Sequence, residues 1–239
     1  TVSNLGNPSL KPYESNDLDL SLEYYTPNGG LVAVALFNKD IVTSLKTDVV
    51  EQMIDPVFWP GIYADPIYDP SYNADPAQVP YTFYIPVNSD DGNRVRGVEV
   101  TVNQPFTFLP GMLQYFGIAA NYTHVSAEDS TGLSPNSYNA TLYYDHEDYG
   151  ARLSVNKRDD YLLSEPGGNG HVQERKFGPT HVDFSAYYNV TDKFTVTLEG
   201  INITDEKELI YGTGYGDQYL PREYSHTGAQ WFLGVRYTY

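Results

Sequence analysis

Apolar and polar residues alternate along this chain in one short stretch after another, and the alternation runs to the last residue. In the closing segment AQWFLGVRYTY, Trp231, Leu233, Val235, Tyr237 and Tyr239 are apolar or aromatic, while Gln230, Gly234, Arg236 and Thr238 between them are polar or small. Chain ends ordinarily fray, so a period of two that reaches a terminal aromatic predicts an end locked into a sheet with one apolar and one polar face. The pattern recurs at Leu18–Leu20–Leu22–Tyr24, Val98–Val100–Val102, Phe116–Ile118–Ala120–Tyr122, Tyr138–Ala140–Leu142–Tyr144, Ala151–Leu153–Val155, Val182–Phe184–Ala186–Tyr188–Val190 and Phe194–Val196–Leu198. Leu31–Ile41 is also strand-like, though apolar on both faces at its start. The total is about nine strands, with no helical period among them.

The connections alternate too. Short turns are predicted at 26–30, 108–111, 146–150 and 190–193, and long Gly-, Pro- and Tyr-rich segments at 52–93, 127–136, 165–179 and 205–228. Structureless loops beyond ~15 residues are uncommon in compact domains and point to binding. Short turns at one end with long loops at the other are the mark of an outer-membrane barrel. A soluble β-sandwich gives the same alternation, with one face on a core and one in water. Two features favour the membrane. Aromatics gather near strand ends, at Tyr24–Tyr25, Tyr143–Tyr144, Tyr187–Tyr188 and Tyr237–Tyr239, which suits interfacial girdles. Repeated strand lengths near ~10 residues also match a tilted bilayer crossing. The expected fold is therefore all-β, a transmembrane antiparallel β-barrel. The alternative is a secreted β-sandwich carbohydrate-binding module, separable by whether extraction requires detergent.

Composition narrows the function. With 31 acidic and 14 basic side chains the formal net charge is −17, which opposes nucleic-acid binding. There is no cysteine, hence no disulfide framework and no thiolate site. Twenty-three tyrosines are too many for a disordered acidic chain. No run approaches the ~18 apolar residues of a transmembrane helix, and the opening TVSNLGNPSLKPYESND has no signal-peptide pattern. Neither point weighs against a barrel, whose strands have weak average hydropathy.

Candidate chemistry is sparse. His124, His146, His171, His181 and His226 show no metal-ligand spacing, and no metal or other cofactor is expected. No GxSxG or phosphate loop occurs, so no catalytic residues and no enzyme are expected. Asn-x-Thr triplets begin at Asn121, Asn139, Asn189 and Asn202 and match glycosylation acceptors, but three of them fall in or against strands. The most unusual stretch is WPGIYADPIYDPSYNADPAQVPY, in which Asp65, Asp69 and Asp75 each precede proline and Tyr63, Tyr68 and Tyr72 lie between. Proline-fixed turns displaying rings suit stacking on a sugar, with the carboxylates accepting hydroxyl hydrogen bonds. A loop that folds over itself, using proline to lower its entropy, accounts for the stretch equally well. Trp59, Tyr63, Tyr68 and Tyr72, with Tyr211, Tyr215 and Tyr219 from the segment YGTGYGDQYLPREY, are the candidate ligand-binding residues. The acidic spacing does not match an EF-hand loop.

The segment LGNPSLKPYESNDLDLSLEYY resembles the "GNP-x-LKPE" stretch and following strand of TonB-dependent outer-membrane receptors. LVAVALFNKDI and RVRGVEVTVNQPFTFLPG resemble the next strands, and VDFSAYYNVTDKFTVTLEGINITDEK resembles the penultimate hairpin, closed by Asn202-Ile203-Thr204-Asp205-Glu206. The terminal GVRYTY resembles the closing strand. The likeness covers the chain in order and implies a single domain, residues 1–239, forming the C-terminal part of a receptor barrel. That family has about 22 strands around a plugged lumen, and neither the plug nor the TonB-contacting box is present here. An odd strand number also forbids antiparallel closure, since bacterial barrels have even counts, so the chain reads as a fragment. The resemblance implies a Gram-negative outer membrane as location, with outer-membrane lipid, the barrel-assembly machinery and the TonB complex, reached through the missing N-terminal region, as partners. Tyr237 and Tyr239 correspond to the assembly signal. The small solute is expected to be an oligosaccharide, with a ferric siderophore as rival and a surface lipoprotein as a further candidate partner. Acidic loops would repel anionic ferric chelates unless basic groups elsewhere offset them.

Overall fold

The computed structural model describes residues 2–4, 6–53, 80–127, 130–167, 172–213 and 219–239. Sixteen strands are found among them: β1 (Val2–Asn4), β2 (Ser15–Tyr25), β3 (Leu31–Ile41), β4 (Ser44–Met53), β5 (Pro80–Ser89), β6 (Asn93–Pro105), β7 (Phe116–Ala127), β8 (Asn136–Asp145), β9 (Tyr149–Arg158), β10 (Tyr161–Ser164), β11 (Gln173–Lys176), β12 (Thr180–Thr191), β13 (Phe194–Ile201), β14 (Glu208–Thr213), β15 (Leu220–Ser225) and β16 (Gln230–Tyr237). The chain divides into two compact units, residues 1–16 with 40–93, and residues 17–39 with 94–239.

The larger unit is built on a nine-stranded sheet in the order β16-β13-β12-β9-β8-β7-β6-β3-β2. Its nine members are the nine strands that alternation predicts. The pairs from β6 through to β16 are antiparallel. Side chains in register share a face, so the pairing tests the facing pattern directly. Val102, Ala120, Ala140, Val155 and Val182 form one cross-strand row, and Ile118, Leu142, Leu153 and Phe184 another. On the opposite face Thr101, Asn121, Asn139, Asn156 and His181 align. One face is apolar and the other polar.

No second sheet covers the apolar face among the described residues. Leu20, Leu153 and Leu233 are 65%, 41% and 78% exposed, and Phe83 and Tyr211 alone count as buried hydrophobics. A β-sandwich hides this face in a core, so an uncovered apolar face in the larger unit is the arrangement of a membrane wall. Edge strands β2 and β16 are exposed along nearly their whole length.

Short turns after β2, β6, β8 and β12 lie at one end of the sheet, as predicted. The long connections differ from expectation, because most are not structureless. The segment 52–93 includes the end of β4 and all of β5, 165–179 includes β11, and 205–228 includes β14 and β15. β11, β14 and β15 span only four to six residues without strict alternation, and β11 pairs with β14 across the intervening β12 and β13, so no local period announces them. The chain terminus also differs in detail. Pairing continues to Thr238, whose N–H donates to the Lys193 carbonyl at 2.9 Å, but Tyr239 is fully exposed, because β13 begins at Phe194 and offers nothing further to pair with.

In the smaller unit, β4 and β5 form an antiparallel ladder from Ser44–Ser89 to Met53–Pro80, and β1 adds to β5 in parallel. The GNPSLKP segment is clamped against β5. Asn7 Nδ2 donates to the Pro86 carbonyl at 3.0 Å, Lys11 N–H donates to Asn88 Oδ1 at 2.8 Å, and Asn88 Nδ2 returns a bond to the Lys11 carbonyl at 3.0 Å.

Candidate solute-binding site

The polar face of the large sheet carries the recesses of the larger unit. At the long-loop end it forms a cavity of about 420 Å³, whose lining includes Thr123, Asn139, Asn156, Lys157, Arg158 and His181, with Gly132–Ser134 beside them. Arg158 is fixed in place: its Nε donates to Ser134 Oγ at 2.7 Å, Nη2 donates to the Gly132 carbonyl at 3.0 Å, and the guanidinium lies 4.1 Å from the Tyr161 ring centre. A second recess nearer the short turns brings Arg152 and Arg236 together with Glu199 and Tyr187.

Two tyrosines of this inward face lie across glycines. Gly117 pairs with Tyr143, and Gly150 with Tyr187, and an added Cβ at either glycine would run into the tyrosine ring. Tyr187 is held over Gly150 by its hydroxyl, which donates to Asp145 Oδ1 at 2.6 Å. The sequence pairs Tyr143–Tyr144 and Tyr187–Tyr188 therefore split. One ring of each pair packs inward on glycine, and the other faces outward as a girdle residue.

Beyond the inward face, β10, β11, β14 and β15 form a second sheet in that order. The turn that leads into it is built by Asn202, at φ 51°, and Asp205, at φ 57°. Asparagine and aspartate tolerate this left-handed conformation better than other side chains do. Asn202 also spends its whole amide on the turn: Oδ1 accepts from Glu206 N–H at 2.8 Å, and Nδ2 donates to the Glu206 carbonyl at 3.0 Å. Asp183 Oδ1 accepts its backbone N–H at 2.8 Å. Sequence likeness marked this motif as a strand closure; its geometry shows how the chain is redirected from wall to outer sheet. His226 Nε2 lies 2.6 Å from Asp205 Oδ1 across the same bend.

Of the candidate ligand residues, Trp59, Tyr63, Tyr68, Tyr72 and Tyr215 lie outside the described residues. Tyr211 and Tyr219 are brought together, with ring centres 4.8 Å apart, and both meet Phe177. Their surroundings differ. Tyr211 is 3% exposed and donates to Asp160 Oδ2 at 3.2 Å, so burial pushes its phenol pKa up and its ring is the core of the outer sheet. Tyr219 is 63% exposed. Lys176 and Glu208 form a 2.7 Å ion pair across β11 and β14, whose hydrogen bond raises the lysine pKa and lowers the glutamate pKa. The arginines of the inward recesses and the Lys176–Glu208 pair escape sequence reading, because nothing local reveals which charges share a face. Among the described residues no three His, Asp or Glu side chains converge as a metal site would require.

A one-sided sheet with a naked apolar face, a polar inward face, and short turns opposite long connections defines part of an outer-membrane β-barrel. The sequence signature described as "TonB dependent receptor-like, beta-barrel" matches residues 1–203, and the chain belongs to that family. It is an outer-membrane protein of the Gram-negative type. The fold is similar to the siderophore receptor PirA from Acinetobacter baumannii, with TM-score 0.65 at 12% identity, over 99% of this chain and 33% of that one. It is similar to the pyoverdine outer-membrane receptor FpvA from Pseudomonas aeruginosa PAO1, with TM-score 0.61 at 16% identity, over 96% and 30%. It also matches the ferric-catecholate import receptor Fiu from K12 E. coli, with TM-score 0.59 at 14% identity, over 97% and 28%. The chain thus spans about a third or less of the solved receptors it matches. No curated protein sequence matches it.

Proposed function

We propose that this chain forms part of the wall and outer mouth of a receptor that captures a scarce solute outside the cell and imports it with energy from the TonB complex. The family match over residues 1–203 carries this reading. The solute class we favour is a ferric siderophore. The three solved receptors above are described as siderophore, pyoverdine and ferric-catecholate receptors. In addition, Arg152, Arg158 and Arg236 line inward recesses, supplying the positive charge that an anionic iron chelate needs and that the net charge of −17 would otherwise deny it;.

An oligosaccharide is the second reading. It is favoured by the uncharged row Thr101, Asn121, Asn139 and Asn156 and by the exposed ring of Tyr219, to which the rings of Trp59, Tyr63, Tyr68 and Tyr72 would add stacking surface. One series on the full-length receptor separates the two. For a siderophore, binding falls steeply with salt because exposed charges are screened beyond ~8–10 Å, Arg152→Gln weakens it, and iron uptake requires TonB. For an oligosaccharide, binding is nearly insensitive to salt and falls when the four rings of 59–72 are changed to Ala. Binding of neither class would remove both solute assignments.

A further inference from the structure

Each strand of the outer sheet continues a strand of the wall. β9 runs on into β10, β11 into β12, β13 into β14 and β15 into β16. The lateral order is kept as well, with β9, β12, β13 and β16 side by side in the wall and β10, β11, β14 and β15 side by side beyond it. The four continuations break at neighbouring places, residues 159–160, 177–179, 202–207 and 226–229. The wall ladders stop at Lys157–Thr180 and Ile201–Gln230, and the outer ladders begin at Tyr161–Lys176, Lys176–Ile210 and Glu208–Ser225. The breaks therefore form one seam that crosses four strands.

Carboxylates stand in for the ladder along this seam. Asp160 Oδ1 accepts from Gly178 N–H at 2.9 Å, Glu206 Oε1 accepts from Thr180 N–H at 3.1 Å, and Asp183 Oδ1 accepts from Asn202 N–H at 2.8 Å. Asp160 Oδ2 also accepts the Tyr211 hydroxyl, so one side chain ties the break beside β9 to the centre of the outer sheet. Both non-glycine residues with positive φ among the described ones, Asn202 and Asp205, stand in the third break, and Gly228, at φ 77°, stands in the fourth. On either side of the seam the structure is firmer. The outer sheet is cross-linked by the ion pairs Lys176–Glu208 and Arg222–Glu174 and by the hydroxyl of Thr213, which donates to Gln173 Oε1 at 2.9 Å. The wall is held by unbroken ladders between β9 and β12 and between β13 and β16.

We propose that the outer sheet tilts as one body about this seam, with Asp160, Asp183 and Glu206 as the clasps that hold its resting position. Hinges are built from a few element-terminal residues that absorb the change in φ and ψ between two stiffer bodies, and the four breaks supply them at one level. A ladder bond is fixed by the register of two backbones, whereas a carboxylate on rotatable bonds follows an N–H through a small tilt or releases it. Arg158 and Pro179 adjoin the first two breaks and line the cavity of about 420 Å³. The Arg158 guanidinium also lies 4.1 Å from the ring centre of Tyr161, the first residue of β10. A tilt of the outer sheet therefore alters the mouth of that cavity. Its consequence for uptake rests on the reading of the cavity as a solute site; the tilt itself does not.

The test uses the full-length receptor in lipid vesicles, spin-labelled in pairs at introduced cysteines, a residue this chain lacks, and read by double electron–electron resonance. Labels at Leu163 and Glu223 report within the outer sheet, labels at Leu153 and Leu233 within the wall, and labels at Glu223 and Leu233 across the seam. Narrow distance distributions are expected within each sheet, and one about twice as wide or wider across the seam. Removing two clasps together, Asp160→Ala with Glu206→Ala, should widen the cross-seam distribution by about half again and leave both within-sheet distributions unchanged. A cross-seam distribution as narrow as the other two would overturn the hinge. A distribution equally broad within the outer sheet would overturn its movement as one body, and an unchanged width in the double variant would overturn the clasps. The unsubstituted receptor decides the first two points even if the double variant folds poorly. No solute enters any of these measurements, so their outcome is separate from the identity of the cargo.

Discussion

Tyr187 over Gly150 shows how single residues shape this wall. The ring occupies the space a Cβ would need and is tied to Asp145 at the adjoining turn. Gly150→Ala should displace the ring and cost ~1–3 kcal/mol, the usual penalty of overpacking, measured by urea unfolding in lipid vesicles. A value near zero would mean the ring is not held there. Asn202 supports a different expectation, because it supplies both a left-handed backbone and an amide that bonds Glu206 twice. Asn202→Gly keeps the backbone freedom and loses the amide bonds, whereas Asn202→Ala loses both. The alanine variant should be less stable than the glycine variant by ~1 kcal/mol. Equal losses would assign the whole role to the side chain. Asn202 also begins an Asn-x-Thr triplet, but its amide is committed within the fold.

At the scale of strands, the register turns a period of two into a definite inside and outside. Val155 lies in the apolar row with Ala140 and Val182, and its neighbour Ser154 in the polar row with Thr141 and Asp183. Arg at Val155 should cost ~2–4 kcal/mol in a bilayer, while Arg at Ser154 should cost far less. Similar losses in folded yield would reverse the facing. The outer sheet makes a prediction about pH. Glu208 has a lowered pKa because Lys176 hydrogen-bonds its carboxylate, so its stabilising contribution is complete above its ordinary value of 4.5 and is lost as pH falls through the lowered one. Lys176 is raised, so its contribution is complete below 10.5 and is lost at higher pH. Pepsin should therefore cut within β10, β11, β14 or β15 increasingly as pH drops below 4.5, and Glu208→Gln should flatten that dependence.

For the whole molecule, the open edges at β2 and β16 and the uncovered apolar face mean that this sheet reaches its working state only within a barrel and a bilayer. The terminal aromatic belongs to that scale. Tyr239 touches no described partner strongly enough to bury it, so its removal should leave solute affinity of the inserted receptor unchanged while lowering the amount that reaches the outer membrane. Levels equal to wild type would detach Tyr239 from assembly.

Alternation alone was enough to place nine strands, to put Leu153 and Leu233 on one face and Asn139 and Ser154 on the other, and to set short turns against long connections. Those properties are local, because the pleat turns each successive side chain over regardless of what lies alongside. Only the tertiary structure decided that β11 pairs with β14, from Gln173–Thr213 to Lys176–Ile210, and so converted expected loops into a sheet with Tyr211 at its centre. It alone placed Tyr143 and Tyr187 over glycines of neighbouring strands. Those outcomes depend on register and strand stagger, which are fixed by hydrogen bonds between segments far apart in the chain.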